Sequence, residues 1–123
     1  MKQKVIICGA GRVGTSITEH LSNEGFDITV IDSNSDAIQR ITELYDVQGV
    51  LGLASHPNVL EDAGIVDTDM IIAVTQSDEI NIAACHVAKS IFGTPTMIIR
   101  IRSKEYLDPK YSNYLLKDVG VNR

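Results

Sequence analysis

Lys4-Val5-Ile6-Ile7-Cys8-Gly9-Ala10-Gly11-Arg12-Val13-Gly14 is the stretch that decides the fold. It opens with a short, mostly apolar run ending in glycine, the pattern of a strand buried on both faces. From Val13 the period changes. Val13, Ile17 and Leu21 fall four apart on one helical face, and Gly25 stands where a C-cap belongs. A strand, a glycine-rich turn and a helix therefore follow one another without a gap.

The unit recurs along the chain. Ile28-Thr29-Val30-Ile31 reads as a second buried strand. Ser33-Asn34-Ser35 then offers cap oxygens to a helix striped by Ala37, Ile38, Ile41 and Leu44. Val47 to Leu51 reads as a third strand, followed by a short helix opened by Ser55 and Pro57 and ended by Gly64. Asp69 to Val74 is the fourth strand. Ser77 then caps a helix with Ile80, Ala84, Val87 and Ile91 buried, and Thr96 to Arg102 is the fifth strand. Tyr106 to Lys117 reads as a short helix or loop with Asp108-Pro109 as a breaker, and Val119-Gly120-Val121 as the start of a further strand. Such alternation predicts an α/β, three-layer, doubly wound parallel sheet of order 3-2-1-4-5 with a sixth strand beginning at the end.

The turn itself carries chemistry. Gly9-Ala10-Gly11-Arg12-Val13-Gly14 matches G-x-G-x-x-G, and it lies between a strand and a helix, the setting that gives the pattern meaning. Gly9 allows the tight turn, Gly11 lets backbone approach a pyrophosphate, and Gly14 lets the helix pack on the sheet. The helix N-terminus turns free N–H groups and a positive dipole end toward phosphate. Asp32, closing the second strand, is placed to accept hydrogen bonds from ribose hydroxyls and to repel a 2′-phosphate, which favours NAD over NADP. The whole is the pattern of a Rossmann nucleotide-binding unit. A methyltransferase is disfavoured by the glycine spacing.

Composition narrows the class. The chain has 123 residues, 44% hydrophobic and 22% charged, with no tryptophan and a formal net charge of −5. That balance suits one aliphatic core and disfavours nucleic acid as a partner, since affinity there rests on phosphate neutralisation. Cys8 and Cys85 sit within apolar patterns, which points to a reducing compartment and to core roles. His20, His56 and His86 form no metal-spaced pair, and no nucleophile–base order stands out, so neither a metal nor a catalytic residue is expected. A hydride-transfer enzyme needs an acid or base against the nicotinamide and a substrate region, and no segment supplies them. The nucleotide-binding part of an NAD-dependent oxidoreductase remains the alternative.

Gly9 to Gly14, Ile28 to Asp32, the run Gly52-Leu53-Ala54-Ser55-His56-Pro57-Asn58-Val59-Leu60, and Ala73-Val74-Thr75-Gln76-Ser77-Asp78-Glu79-Ile80-Asn81 together resemble the RCK/KTN nucleotide-binding domain, of the type at the N-terminus of TrkA-type subunits of Trk potassium-uptake systems. The resemblance runs from Lys4 to about Leu107. It implies a regulatory module rather than an enzyme. Such a module binds NAD+ or NADH, with ATP, ADP or AMP in some members. It lies in the cytoplasm against the inner face of the membrane, forms a dimer or tetrameric ring, and controls a potassium-translocating membrane subunit.

Carried over by position, Gly9, Ala10, Gly11, Arg12, Val13 and Gly14 surround the pyrophosphate, and Asp32 with Ser33 the adenosine ribose. Gly52, Leu53 and Ala54 line the adenine side; Leu53 replaces an acidic residue found in many relatives, which leaves backbone contact there. Thr75, Gln76, Asp78 and Glu79 face the second half of the dinucleotide, with Arg100 nearby, paired to a phosphate or to Asp78. Asp78 and Glu79 would distinguish NAD+ from NADH by charge. TrkA-type proteins are longer, so residues 1–123 are expected to be a single domain, one module of a longer chain.

Overall fold

The computed structural model describes residues 2–122. Met1 and Arg123, at the ends of the expected single domain, lie outside the described residues. Six strands form one parallel sheet: β1 (Lys4–Cys8), β2 (Asp27–Asp32), β3 (Gln48–Leu51), β4 (Met70–Ala73), β5 (Thr96–Arg100) and β6 (Gly120–Asn122). Their spatial order is β3-β2-β1-β4-β5-β6, and every pairing is parallel. The expected order and the sixth strand are both present. The order reverses between β1 and β4, so connections leave the sheet in opposite directions there and open a cleft at the carboxyl ends.

Alternate residues of each central strand serve different layers. On one face Val5, Ile7, Val30 and Ile72 meet α1 (Arg12–Asn23) and α2 (Ser35–Leu44) through Val13, Ile17, Ala37 and Ile41. On the other, Ile6, Cys8, Ile31, Ile71 and Ile99 meet α3 (Pro57–Asp62) and α4 (Asp78–Phe92) through Leu60, Ala84, Cys85 and Ala88. This double burial is why β1, β2 and β4 read as near-continuous β-branched runs. Among the described residues, no helix is long and apolar enough to cross a membrane.

Ile91, expected among the buried positions of α4, is exposed at its C-terminal end. Three other local readings shift, each for a visible reason. β5 ends at Arg100 and not Arg102, because the Arg102 N–H turns to the Asp78 carboxylate (2.9 Å) rather than to a neighbouring strand. The segment read as one helix or loop is two helices, α5 (Lys104–Leu107) and α6 (Pro109–Leu115). Asp108 separates them and caps the second, accepting from the Lys110 N–H, with Pro109 at the first helical position, where a missing N–H costs nothing. The cap position of α3 is His56, not Ser55, and its side chain makes no capping bond.

Cys8 on β1 and Cys85 on α4 are free and buried in the same apolar layer. Burial pushes the Cys85 thiol up to about 12. Burial, reinforced by the nearby Cys85, pushes the Cys8 thiol up as well. Ionising either requires unfolding, so their share of stability is whole below the ordinary thiol value of 9.0 and is lost as pH rises from there toward 12. Denaturant unfolding monitored against pH is expected to show a plateau through neutrality and a decline above about pH 9. A thiol reagent at pH 8 is expected to label neither cysteine natively and both in denaturant.

Candidate functional site

The carboxyl ends of β1, β2 and β4 surround a cavity of about 470 Å³. Its floor is the turn after β1. Gly9 has φ +117°, a conformation that disfavours any side chain, and a Cβ there would stand 2.9 Å from the Val74 carbonyl oxygen. Gly14 lies one helical turn on, in α1. A Cβ on Gly14 would sit 1.8 Å from the Gly9 carbonyl oxygen, so the helix can press on the turn only because that atom is missing. Gly11 is different: a Cβ there meets nothing within 4 Å. Its open side is the cavity, which it lines.

Gly11 is also the N-cap of α1 and has no side chain to cap with. The first bond of the helix runs from the Thr15 N–H to the Gly11 carbonyl (2.9 Å). The N–H groups ahead of it are left for an anion, at the positive end of a 12-residue helix. The wall on the β2 side is built around Asp32. One oxygen accepts from the Ala10 N–H (2.7 Å), the other from the Asn34 N–H (2.8 Å). Its own carbonyl accepts from the Gly52 N–H (3.0 Å). Each carboxylate oxygen retains a lone pair for a hydroxyl donor.

The opposite wall follows β4 and β5. Asn81 is only 1% exposed, a polar side chain in the buried stripe of α4. It accepts from the Thr75 N–H (2.9 Å) and the Thr75 hydroxyl (2.7 Å), and donates to the carbonyls of Thr75 (3.1 Å) and Arg100 (3.0 Å). One amide thus locks the ends of two strands together. Asp78 receives the N–H groups of Arg102 (2.9 Å) and Ser103 (2.8 Å).

Of the residues singled out by sequence, the structure brings Gly9, Ala10, Gly11, Arg12, Val13, Asp32, Ser33, Gly52, Leu53, Ala54, Thr75, Gln76 and Arg100 to the cavity wall. Gly14, Asp78 and Glu79 do not line it. Gly14 is buried beneath Gly9 as a packing contact. Asp78 accepts backbone donors of the β5–α5 connection, and the ion pairs among the described residues do not include one with Arg100. Glu79 stands beside the Tyr106 hydroxyl, and its carboxylate is the main reason that phenol is held above its ordinary value. These two acids, expected to face the second half of a dinucleotide, thus lie off the cavity wall.

Sequence reading missed Asn34, Arg40 and Ile80 as wall residues, and Asn81 as their support; Ser77 and Arg102, which the sequence places at the strand ends, line the wall as well. Arg40 lies three residues beyond Ala37, which also lines the cavity, a spacing that puts both on one helical face. Arg102 shares the strand-side parity of Arg100. Among the described residues, no group of three or more His, Cys, Asp or Glu is placed to hold a metal ion.

The TrkA-N domain family is matched across residues 5–123. The chain belongs to that family. The Trk system potassium uptake protein TrkA of Azorhizobium caulinodans is 48% identical over 115 residues, 94% of this chain. That of Vibrio alginolyticus is 50% identical over 107 residues, 87% of this chain. The chain spans about a quarter of the length of these relatives, 25% and 23% respectively.

Solved structures of like fold include the TrkA-N domain of the inner membrane protein ybaL from Escherichia coli. It has a TM-score of 0.84 and 18% identity, over 99% of this chain and 87% of that one. The Kef CTD of Shewanella denitrificans in AMP-bound form has a TM-score of 0.80 and 18% identity, over 98% and 72%. The GsuK channel bound to NAD has a TM-score of 0.78 and 19% identity, over 98% and 21%.

The two glycines separate folding from binding. Gly14→Ala is expected to lower unfolding free energy by about 2–3 kcal/mol, through overpacking against backbone that cannot yield. Gly11→Ala is expected to fold with little loss, since Gly exceeds Ala at an N-cap by about 1 kcal/mol or less, while its methyl fills the approach to the helix N-terminus. Denaturant melts and anion or nucleotide titrations of both variants check this. Asn81→Ala is expected to cost about 2–4 kcal/mol, because it strands buried donors and acceptors at two strand ends. Chemical denaturation measures it.

Proposed function

We propose that this chain is the NAD(H)-binding regulatory domain of a potassium-uptake system. In this reading the Gly9–Val13 turn and the α1 N-terminus hold the pyrophosphate. Asp32 accepts from the adenosine ribose, and Gly52, Leu53 and Ala54 line the adenine side. Thr75, Gln76 and Arg100 stand along the second half. The relatives named as Trk potassium uptake proteins, and the similar folds solved with NAD and with AMP, support the ligand class.

The TrkA-N family match and the Trk potassium-uptake relatives carry the choice of regulator over oxidoreductase, and the cavity wall is compatible with it. Among the described residues lining the cavity, the ionisable side chains are one carboxylate, Asp32, and four arginines. Asp32 is braced by backbone N–H groups on the ribose side, and arginine does not exchange its proton near neutral pH. No group on the wall is suited to give or take a proton beside a nicotinamide, which hydride transfer to an alcohol or acid requires.

Regulation then follows from linkage. A nucleotide shifts an assembly only by binding two of its states unequally. We place the domain in the longer protein as part of a dimer or ring at the cytoplasmic face, biasing a potassium-translocating membrane subunit.

Thermal unfolding against NAD+, NADH, ATP, AMP, NADP+ and S-adenosylmethionine tests the ligand class. A ligand at 100 times its dissociation constant adds about 2.7 kcal/mol, a clear rise in Tm for a domain of this size. The expected result is a rise with NAD(H) or an adenine nucleotide and little with NADP+. No rise with any of them would remove the reading.

A further inference from the structure

α4 does not need Asp78 as a cap. Ser77 serves there, its hydroxyl accepting from the Ile80 N–H (3.2 Å). Asp78, the first residue of the helix, is left to reach across to another element. One carboxylate oxygen accepts from the Arg102 N–H (2.9 Å) and the other from the Ser103 N–H (2.8 Å). Two consecutive N–H groups thus engage both oxygens, a charge-assisted, two-pronged grip on main chain.

The gripped segment lies between the sheet and the cavity. β5 ends at Arg100, and Ser103 is the N-cap of α5 but makes no capping bond with its own side chain. Ile101 is anchored in the core at 5% exposure, while Arg100 and Arg102, on either side of it, line the cavity. Arg102 lies beyond the strand pairing of β5, so its backbone is placed by Asp78 and not by a neighbouring strand. Ser77, next to Asp78 in the chain, lines the cavity too. The carboxylate therefore stands just behind the wall. Its charge opposes an anion in the cavity, while its bonds hold an arginine toward one.

We infer that Asp78 is a positioning residue of the site: through the N–H groups of Arg102 and Ser103 it holds the end of β5 so that the Arg102 guanidinium meets the second phosphate of a dinucleotide. This rests on the nucleotide reading above and adds to it a residue that itself touches no ligand. The two roles of the carboxylate have opposite signs. As a bare charge beside the wall it weakens the binding of an anion, and its removal tightens binding. As a brace for Arg102 it strengthens binding, and its removal loosens it.

Isothermal titration with NADH and with AMP tests this on the unaltered chain, Asp78→Ala, Asp78→Asn, Arg102→Gln and the double substitution of Asp78→Ala with Arg102→Gln. AMP brings a single phosphate, which the α1 N-terminus serves. Asp78→Ala and Arg102→Gln are each expected to weaken NADH roughly fivefold at low salt and AMP far less. The double substitution is expected to lose no more than either single one, since both remove the same contact. Asp78→Asn keeps one acceptor of the two and is expected to show a smaller loss; it takes the place of alanine in the cycle if Asp78→Ala does not fold. NADH bound equally or more tightly by the Asp78 variants overturns the inference alone. So do losses that multiply in the double substitution, an equal weakening of NADH and AMP, or binding of AMP without NADH by the unaltered chain. Failure of the unaltered chain to bind either nucleotide overturns the nucleotide reading and this inference with it.

Discussion

Both oxygens of the Asp32 carboxylate are bound to main chain, one to the turn after β1 and one to the turn after β2. These two turns come from different strand–helix units. Charge-assisted bonds of 2.7 and 2.8 Å hold them together. Gly52, from the turn after β3, adds a third attachment through the Asp32 carbonyl. The adenosine side of the cavity is thus the meeting of three turns on one residue. A side chain that was expected to bind ligand also builds the wall in which a ligand would lie.

The β4–β5 side uses a different device for the same end. There an amide, Asn81, replaces the carboxylate. It presents both a donor and an acceptor to strand ends that expose both N–H and C=O groups. A buried amide needs every one of those bonds, since the surrounding layer is aliphatic and offers nothing in exchange. Asp78 performs the equivalent service one turn earlier for the β5–α5 connection. The two rims are therefore held by polar side chains, and the sheet beneath them by its backbone ladders and apolar burial.

What could be read from sequence follows this division. The strand–turn–helix at Gly9–Gly14 is local. Each glycine answers a constraint set by residues close in the chain or by the next strand, so its spacing is visible in one line of sequence. Asp32 is legible for the same reason, as the acid closing a strand. The places of Asp78 and Glu79 were not legible, because an acid in the first turn of a helix has several competing partners. Solvent, the helix dipole and a remote backbone N–H all serve it, and for Asp78 the choice falls to the N–H groups of Arg102 and Ser103, 24 and 25 residues away. Arg40 was hidden by the apolar stripe beside it, because periodicity reports which face is buried and not which flank looks into a cleft. Asn81 did leave a signal, as a polar residue among the buried positions of α4, but only the three-dimensional structure shows that two strand ends are its partners.

The contact between Gly9 and Gly14 has a thermodynamic consequence. Backbone meets backbone there without a side chain between, so the turn and the first coil of α1 have no second arrangement to adopt. The phosphate-facing part of the cavity is rigid in advance and has little disorder left to lose when something enters it. Disorder at the site resides instead in the four long arginine arms, each with about 2 kcal/mol of rotamer entropy to surrender. A ligand entering here would meet a turn already formed, and the ordering it required would fall chiefly on the side chains around that turn.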